Sequence, residues 1–264
     1  MIKVMSFNVR YGTAQDGENS WPYRKELVID RIRTFDPDLL GLQECRDDEQ
    51  ADYIRTNLDD YGFIGIRRGG DDNSAIEMSP LFFKTSAFEE LDRRHFWLSP
   101  TPDVAGSKSW GRVPRTVTWV KLTHRQSRRE LMFLNTHFDY KVEVAHQSAQ
   151  LLRDYVNRLD PALPLVLTGD FNVNRDTPPY AVLACGGTLY DAYRRIYPDQ
   201  SEPTFNAFGK RHDDPAMAVA AIDWILVSQH FETLHAQVDR HTVDSVYPSD
   251  HYPVLAEIEL LERR

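Results

Sequence analysis

Six short clusters of polar residues stand at the ends of apolar runs in this chain. They are Asn8 in Phe7-Asn8-Val9, Glu44 after Leu39-Leu40-Gly41-Leu42-Gln43, His137 in Asn135-Thr136-His137, Asp170 and Asn172 in Gly169-Asp170-Phe171-Asn172, Asp223 in Ala221-Ile222-Asp223-Trp224-Ile225, and Ser249-Asp250-His251. Such groups suit metal-assisted attack of water on a phosphoester. Carboxylates and amides are hard oxygen ligands for Mg²⁺ or Mn²⁺. An imidazole or a carboxylate can take a proton from water. Amide and imidazole N–H groups can donate to phosphoryl oxygens where charge builds up. The clusters lie far apart in sequence, so the expectation is that strand ends converge on one hydrolytic site.

Taken singly, each cluster has a plainer reading. Asp170 and Asn172 follow the apolar run Leu165-Val166-Leu167 and point the same way, being two apart. They could equally form a turn, which Asp and Asn favour. Glu44 is a cation ligand or a strand-end Glu in solvent. Asn8 is a ligand or a satisfied structural amide. Most lone histidines are structural or exposed, and His124, His146, His212, His230, His235 and His241 are read that way. His137 and His251 differ because each sits at a strand boundary among polar neighbours. Asp223 lies in an apolar run, where a carboxylate must be paired. An imidazole is the obvious partner, and such a pair fixes the ring tautomer and raises its basicity.

The elements that must position these groups alternate between strand and helix. Residues 2–9 and 38–44 read as strands flanking an amphipathic helix over 24–35 that Pro37 closes, with a short helix over 49–58. Five strands follow in a row at 61–67, 78–84, 89–98, 115–123 and 130–138. A long helix over 142–159 leads to a buried strand at 164–169. Short helices at 179–184 and 190–197 precede strands at 221–227, 234–240 and 254–260. So many consecutive strands without crossover helices argue against one doubly wound parallel sheet. Two packed mixed sheets with helices outside them, an α/β sandwich in a single domain over 1–264, fit better. Of the irregular segments at 12–22, 69–74, 99–114 and 201–215, several could fall on one rim.

The 264 residues are 41% hydrophobic and carry a formal net charge of −9. No apolar run reaches the roughly 18–20 residues of a membrane span. Arg67-Arg68, Arg93-Arg94, Arg128-Arg129 and Arg194-Arg195 are short pairs rather than the basic stripe of a protein gripping long nucleic acid. A cation in an acidic site would still allow phosphate to bind. Cys45 and Cys185 lack zinc-type spacing and read as reduced, mostly buried thiols, consistent with a cytoplasmic protein. The N-terminus reads as a strand rather than a signal peptide, with secretion open if the chain is a trimmed mature form. Nothing points to obligate assembly, so a monomer is expected.

In this order the clusters resemble the endonuclease/exonuclease/phosphatase superfamily over nearly the whole chain, most specifically through Gly169-Asp170-Phe171-Asn172 and Ser249-Asp250-His251. The resemblance implies a four-layer α/β sandwich of the DNase I type. It implies Glu44 as the principal Mg²⁺ or Mn²⁺ ligand with Asn8 beside it, and Asp250 as a further metal-site or phosphate-side carboxylate. Asp170 and Asn172 would orient the nucleophile and contact the scissile phosphate. His251 would be the catalytic imidazole with Asp223 paired to it, and His137 a second catalytic imidazole. Arg115, in Val113-Pro114-Arg115, resembles a phosphate-binding Arg, although a surface Arg opening a strand is the alternative. In the implied reaction His251, or alternatively Asp170, takes the proton of water, while His137, Asn172 and Arg115 donate to the phosphoryl oxygens.

The substrate is less legible. Trp97, Trp110, Phe205 and Phe208 could wall the rim or simply pack loops onto the core. A phosphodiesterase or nuclease acting on a short or single-stranded nucleic acid is the first expectation. A phosphomonoesterase acting on a sugar, inositol or lipid phosphate is the second. A non-catalytic binding module on the same fold is third, because every key ionisable residue is present.

Overall fold

The computed structural model describes residues 1–72, 74–210 and 220–262. Asn73, residues 211–215 of the expected last loop, and His212 therefore lie outside the described residues. The strands are β1 (Ile2–Asn8), β2 (Leu39–Gln43), β3 (Cys45–Arg46), β4 (Tyr61–Ile64), β5 (Glu77–Met78), β6 (Leu81–Lys84), β7 (Phe88–Trp97), β8 (Thr116–His124), β9 (Arg129–His137), β10 (Leu165–Asp170), β11 (Leu189–Asp191), β12 (Asp223–Ser228), β13 (Phe231–Val238) and β14 (Val254–Leu260). The helices are α1 (Trp21–Phe35), α2 (Glu49–Asn57), α3 (Val142–Val156), α4 (Pro178–Ala184) and α5 (Ala192–Ile196).

Two mixed six-stranded sheets form the centre of the expected sandwich. One runs β13-β14-β1-β2-β6-β4 and the other β11-β12-β10-β9-β8-β7. Each has one parallel pair, β1 with β2 and β9 with β10, and every other pairing in these two sheets is antiparallel. A parallel pair needs a crossover connection, and here α1 and α3 supply the two crossovers. The C-terminal ends of both parallel pairs point to the same end of the sandwich.

Strand periodicity sorts the side chains into layers. Met5, Phe7, Leu40 and Leu42 face outward under Val28 and Ile32 of α1 and Ile54 of α2. Leu165, Leu167, Met132 and Leu134 face outward under Ala149 and Leu152 of α3. The alternate residues face the other sheet. At the lower end these are Val4, Leu39, Leu131, Phe133, Val166 and Val227, which form the central core. One turn of the pleat higher they become small or amide-bearing: Ser6, Gly41, Gln43, Asn135 and Thr168, all buried. At the top come Asn8, His137, Asp170 and Asp223. The gradient from apolar to amide to ionisable runs along the inner faces of both sheets.

The amide layer locks the sheets together. Asn135 donates to the carbonyls of Leu42 (2.6 Å) and Pro80 (2.9 Å), and its Oδ1 accepts from Gln43 Nε2 (2.7 Å) and Thr168 Oγ1 (3.0 Å). Gly41 is required by this approach: a Cβ there would lie 2.0 Å from Thr168 Oγ1 and 2.6 Å from Asn135 Oδ1.

Several elements differ from the sequence reading. Helix α1 begins at Trp21, inside the expected loop, because Pro22 suits the first turn of a helix. It ends where Asp36 takes a left-handed conformation and donates to Ile32 O. The strand expected over 78–84 is split into β5 and β6, since Pro80 cannot donate to a ladder. Residues 190–197 divide into β11 and α5, with Asp191 accepting from the N–H groups of Tyr193 and Arg194 to start the helix. Cys45 is buried, but Cys185, expected to be buried, is exposed at the end of α4.

Candidate active site

The top of the inter-sheet seam carries all the candidate polar groups except Arg115, which lies just beside it. β1 ends at Asn8, whose Nδ2 donates to Asp170 Oδ2 on the opposite sheet (2.9 Å) and to Glu44 Oε1 (3.2 Å). Glu44 leaves β2 with φ 59°, a left-handed turn that aims its carboxylate back across the strand end. Its Oε2 accepts from the N–H of Tyr11 (3.1 Å).

On the other sheet, Asp170 and His137 end the parallel strands β10 and β9 as direct register partners, and Asp223 opposes Asp170 from β12. Asp170 Oδ1 accepts the N–H of Asn172 (2.9 Å), which also has a left-handed φ of 54°. Asn172 Nδ2 donates to Phe138 O (3.0 Å) and lies 2.9 Å from His137 Nε2. An amide N–H there makes that ring nitrogen an acceptor.

His251 Nδ1 lies 2.9 Å from Asp223 Oδ2, so the ring pairs with a carboxylate of another strand and not with its chain neighbour. Asp223 is fixed by Thr204, whose hydroxyl oxygen accepts the N–H groups of Ile222 (3.0 Å) and Asp223 (3.1 Å). Phe205 is half-buried and packs edge-on against the His251 ring at 5.1 Å, whereas Trp97 is buried and walls no open rim. Asp250 turns the other way. Its Oδ1 accepts from Ser249 Oγ (3.2 Å) and its Oδ2 is 3.6 Å from Arg10 Nε.

Burial and neighbours set the charges. Burial disfavours a charged His251, but Asp223 and Asp170 outweigh it and push the ring up to about 10. Burial, with Arg115 and Arg68 nearby, holds His137 well below the ordinary imidazole range. Burial, reinforced by Asp223, pushes Asp170 up to about 7. Burial also raises Asp250, with Glu44 adding to it. Arg115 is lowered by burial and then by Arg68.

Arg115 is 8% exposed, and its side chain makes no hydrogen bond or close ion pair among the described residues. It lines a cavity of about 10 Å³ together with His137, Arg68, Glu77, Met78, Ser79 and Thr116. It is thus a buried cation beside the site rather than a surface Arg. A cavity of about 1100 Å³ lies at the opposite end of the sheets, beside Arg129, Asp160 and His230, away from the catalytic groups.

The sequence reading missed three residues that hold the site. Arg24 is fully buried and donates to the carbonyls of Asn19, Val9, Arg10 and Pro248, tying α1 to the segment before Asp250. Its signal was legible: Arg24 shares a helix face with Val28 and Ile32, and a guanidinium on an apolar stripe requires partners. Arg10 and Thr204 carry no such signal: Arg10 pairs with nearby Asp16 and reaches Asp250 only through the fold, and the partners of Thr204 lie 18 and 19 residues away.

This combination defines a two-sheet hydrolase class, with oxygen donors and imidazoles gathered where opposed strands end. A sequence profile described as the Endonuclease/Exonuclease/phosphatase family matches residues 5–251, and the chain belongs to that family. Its members are hydrolases acting on phosphoester bonds. The chain is similar to a Bacteroides thetaiotaomicron mannosyl-6-phosphatase of known structure (29% identity, TM-score 0.87, 98% of this chain and 100% of that one). It is 24% identical to Nocturnin from Rattus norvegicus over 99% of this chain and 66% of Nocturnin. It is 23% identical to the CCR4-Not complex 3′-5′-exoribonuclease subunit Ccr4 from Emericella nidulans, over 98% of this chain and 52% of that subunit. The chain thus spans about two thirds and about half of the lengths of these two curated relatives. Among the described residues no helix is long and apolar enough to cross a membrane.

Proposed function

We propose that this protein is a divalent-metal-dependent phosphoesterase that cleaves its substrate by in-line attack of water. The observation that carries this reading is Asp170 Oδ2. It accepts from Asn8, lies 3.4 Å from His137 Nε2 and 3.8 Å from His251 Nε2, and so joins both sheets and both imidazoles at one point.

Glu44, Asp250 and Asn8, whose Oδ1 accepts the Arg10 N–H (2.9 Å), would supply oxygen donors of the kind that suit Mg²⁺ or Mn²⁺. Glu44 and Asp250 also face each other as like charges, which a divalent cation would offset. Asp170, Asp223 and His251 form a second group whose ligand atoms lie within 4.8 Å of one another. There, however, His251 already shares Asp223 and is held cationic, which opposes an ion. A bound cation would polarise a phosphoryl oxygen and stabilise charge in the transition state.

The chain's own groups do the rest. Asn8 orients Glu44 and Asp170. Asp170, pushed up to about 7, takes the proton of the attacking water, and the cationic His251, steadied by Asp223, stands beside it as a proton donor. Arg115 and the remaining N–H of the neutral His137 ring present donors to the phosphoryl oxygens, and Asn172, whose two amide N–H groups go to Phe138 O and His137 Nε2, positions that ring. We take the protein to act as a single-domain monomer in the cytoplasm. Two free cysteines support a reducing setting, and sedimentation analysis checks the monomer.

Two substrate classes remain in this reading. A phosphodiester matches the exoribonuclease relative. A phosphomonoester of a small molecule matches the mannosyl-6-phosphatase, which the chain parallels over that protein's whole length. That full-length match, and a net charge of −9, favour the monoester. The test is a panel with Mg²⁺ or Mn²⁺: p-nitrophenyl phosphate, bis-p-nitrophenyl phosphate, mannose 6-phosphate, inositol phosphates, RNA, and single- and double-stranded DNA. Turnover should require the metal, stop with EDTA, and fall strongly in a folded His251→Ala variant. Unchanged hydrolysis by that variant would refute the proposal.

A further inference from the structure

Arg68 has no role in the reading above, yet it is built into the wall beside His137. Its backbone N–H donates to Glu77 O (2.8 Å), and its carbonyl accepts from the buried indole of Trp97 (2.7 Å). Its side chain is steadied by Glu77, whose Oε1 lies 2.7 Å from the Arg68 Nη2. The loop from β4 to β5 is thereby pinned to the other sheet through β7. This anchoring holds one guanidinium against a second, Arg115, in the same small cavity.

Both guanidiniums have buried Nε–H groups without a partner, and among the described residues the Arg115 side chain makes no hydrogen bond, although Glu77 and Asp170 attract it at longer range. A buried, unpaired donor is unfavourable, the more so when charged. Two like charges sharing a cavity add repulsion. One Glu, already bonded to Arg68, does not satisfy both. This arrangement is complementary to an anion. The cavity of about 10 Å³ has room for about one water-sized atom. An oxygen fits in it, and a carbon-bearing substituent does not.

We propose that Arg68 and Arg115 form a narrow pocket for a terminal phosphoryl oxygen, and that this pocket selects a phosphomonoester dianion over a diester. The inference rests on the phosphoesterase reading and specifies its substrate. A monoester has three nonbridging oxygens and a second negative charge. A diester has two nonbridging oxygens, one charge and a further carbon substituent. The extra oxygen and charge match the two guanidiniums, while the further substituent meets a dead end. Arg68 is then a specificity-determining residue.

The experiment compares kcat/KM for p-nitrophenyl phosphate and bis-p-nitrophenyl phosphate, with Mg²⁺, in the wild-type protein and in Arg68→Gln and Arg68→Lys. The wild type should prefer the monoester by about 100-fold. Arg68→Gln should lower monoester turnover by about 100-fold, the scale of losing one donor to developing charge, and lower diester turnover far less. The inhibition constant of inorganic phosphate should rise on the order of tenfold in the same variant. Arg68→Lys, which keeps the charge and loses the fork, should fall between, and it decides the matter if the glutamine variant does not fold. A wild type that cleaves the diester as well as the monoester would overturn the pocket's role. So would a folded variant that loses both activities equally. No hydrolysis of either ester with Mg²⁺ or Mn²⁺ would instead overturn the phosphoesterase reading itself.

Discussion

His137 and His251 flank the same carboxylate oxygen of Asp170, at 3.4 and 3.8 Å, and both are buried. Their charge states are nonetheless opposite. His251 has Asp223 on Nδ1 and Asp170 beyond, and burial is outweighed. His137 has an amide at Nε2 and two guanidiniums nearby, so burial and its neighbours act in the same direction. Burial alone therefore does not set an imidazole's role; the group bonded to the ring nitrogen does. One ring is equipped to exchange a proton. The other is a neutral dipole in the wall that faces Arg68 and Arg115.

Three substitutions bear on this contrast. Asp223→Asn removes the carboxylate that distinguishes His251 and leaves its shape. We expect kcat with the preferred phosphoester to fall by about 10³-fold, with circular dichroism unchanged; a loss under tenfold would show that the pairing is structural only. His137→Gln retains a hydrogen-bonding side chain beside Asn172. Steady-state kinetics should show a loss of about 10²-fold, and a loss equal to that of Asp223→Asn would erase the distinction between the rings. Gly41→Val acts below both histidines, forcing Thr168 and Asn135 apart. Overpacking of this kind should cost about 1–3 kcal/mol, read as a lower midpoint in urea unfolding. Unaltered stability would mean that the amide layer does not fasten the sheets.

Much of the site was legible because strand periodicity is strict. In β1, β9, β10 and β12 the polar residue at the strand end shares its face with inward apolar residues: Asn8 with Val4, His137 with Phe133, Asp170 with Val166, and Asp223 with Ile225. That parity is readable without coordinates. Arg24 could have been read from its helix face in the same way. Pro80 marked the break between β5 and β6, but a break alone says nothing of where Glu77 and Arg68 come to lie. Thr204 was illegible because its partners lie 18 and 19 residues away, and Arg10 and Arg68 because their near partners Asp16 and Glu77 say nothing of the site they border. Trp97, whose indole holds Arg68 O, lies 29 residues away.

The sequence by itself determined the alternation of strands and helices, the inward face of each strand, and the order of acids, amides and imidazoles along the chain. These follow from local periodicity and from the cost of burying polar groups without partners. Only the tertiary structure decided which imidazole is left neutral and which two arginines share a small cavity with His137. Those outcomes depend on distances of about 3–4 Å between residues far apart in the chain, and electrostatic energies at that range are set by geometry and burial rather than by residue type.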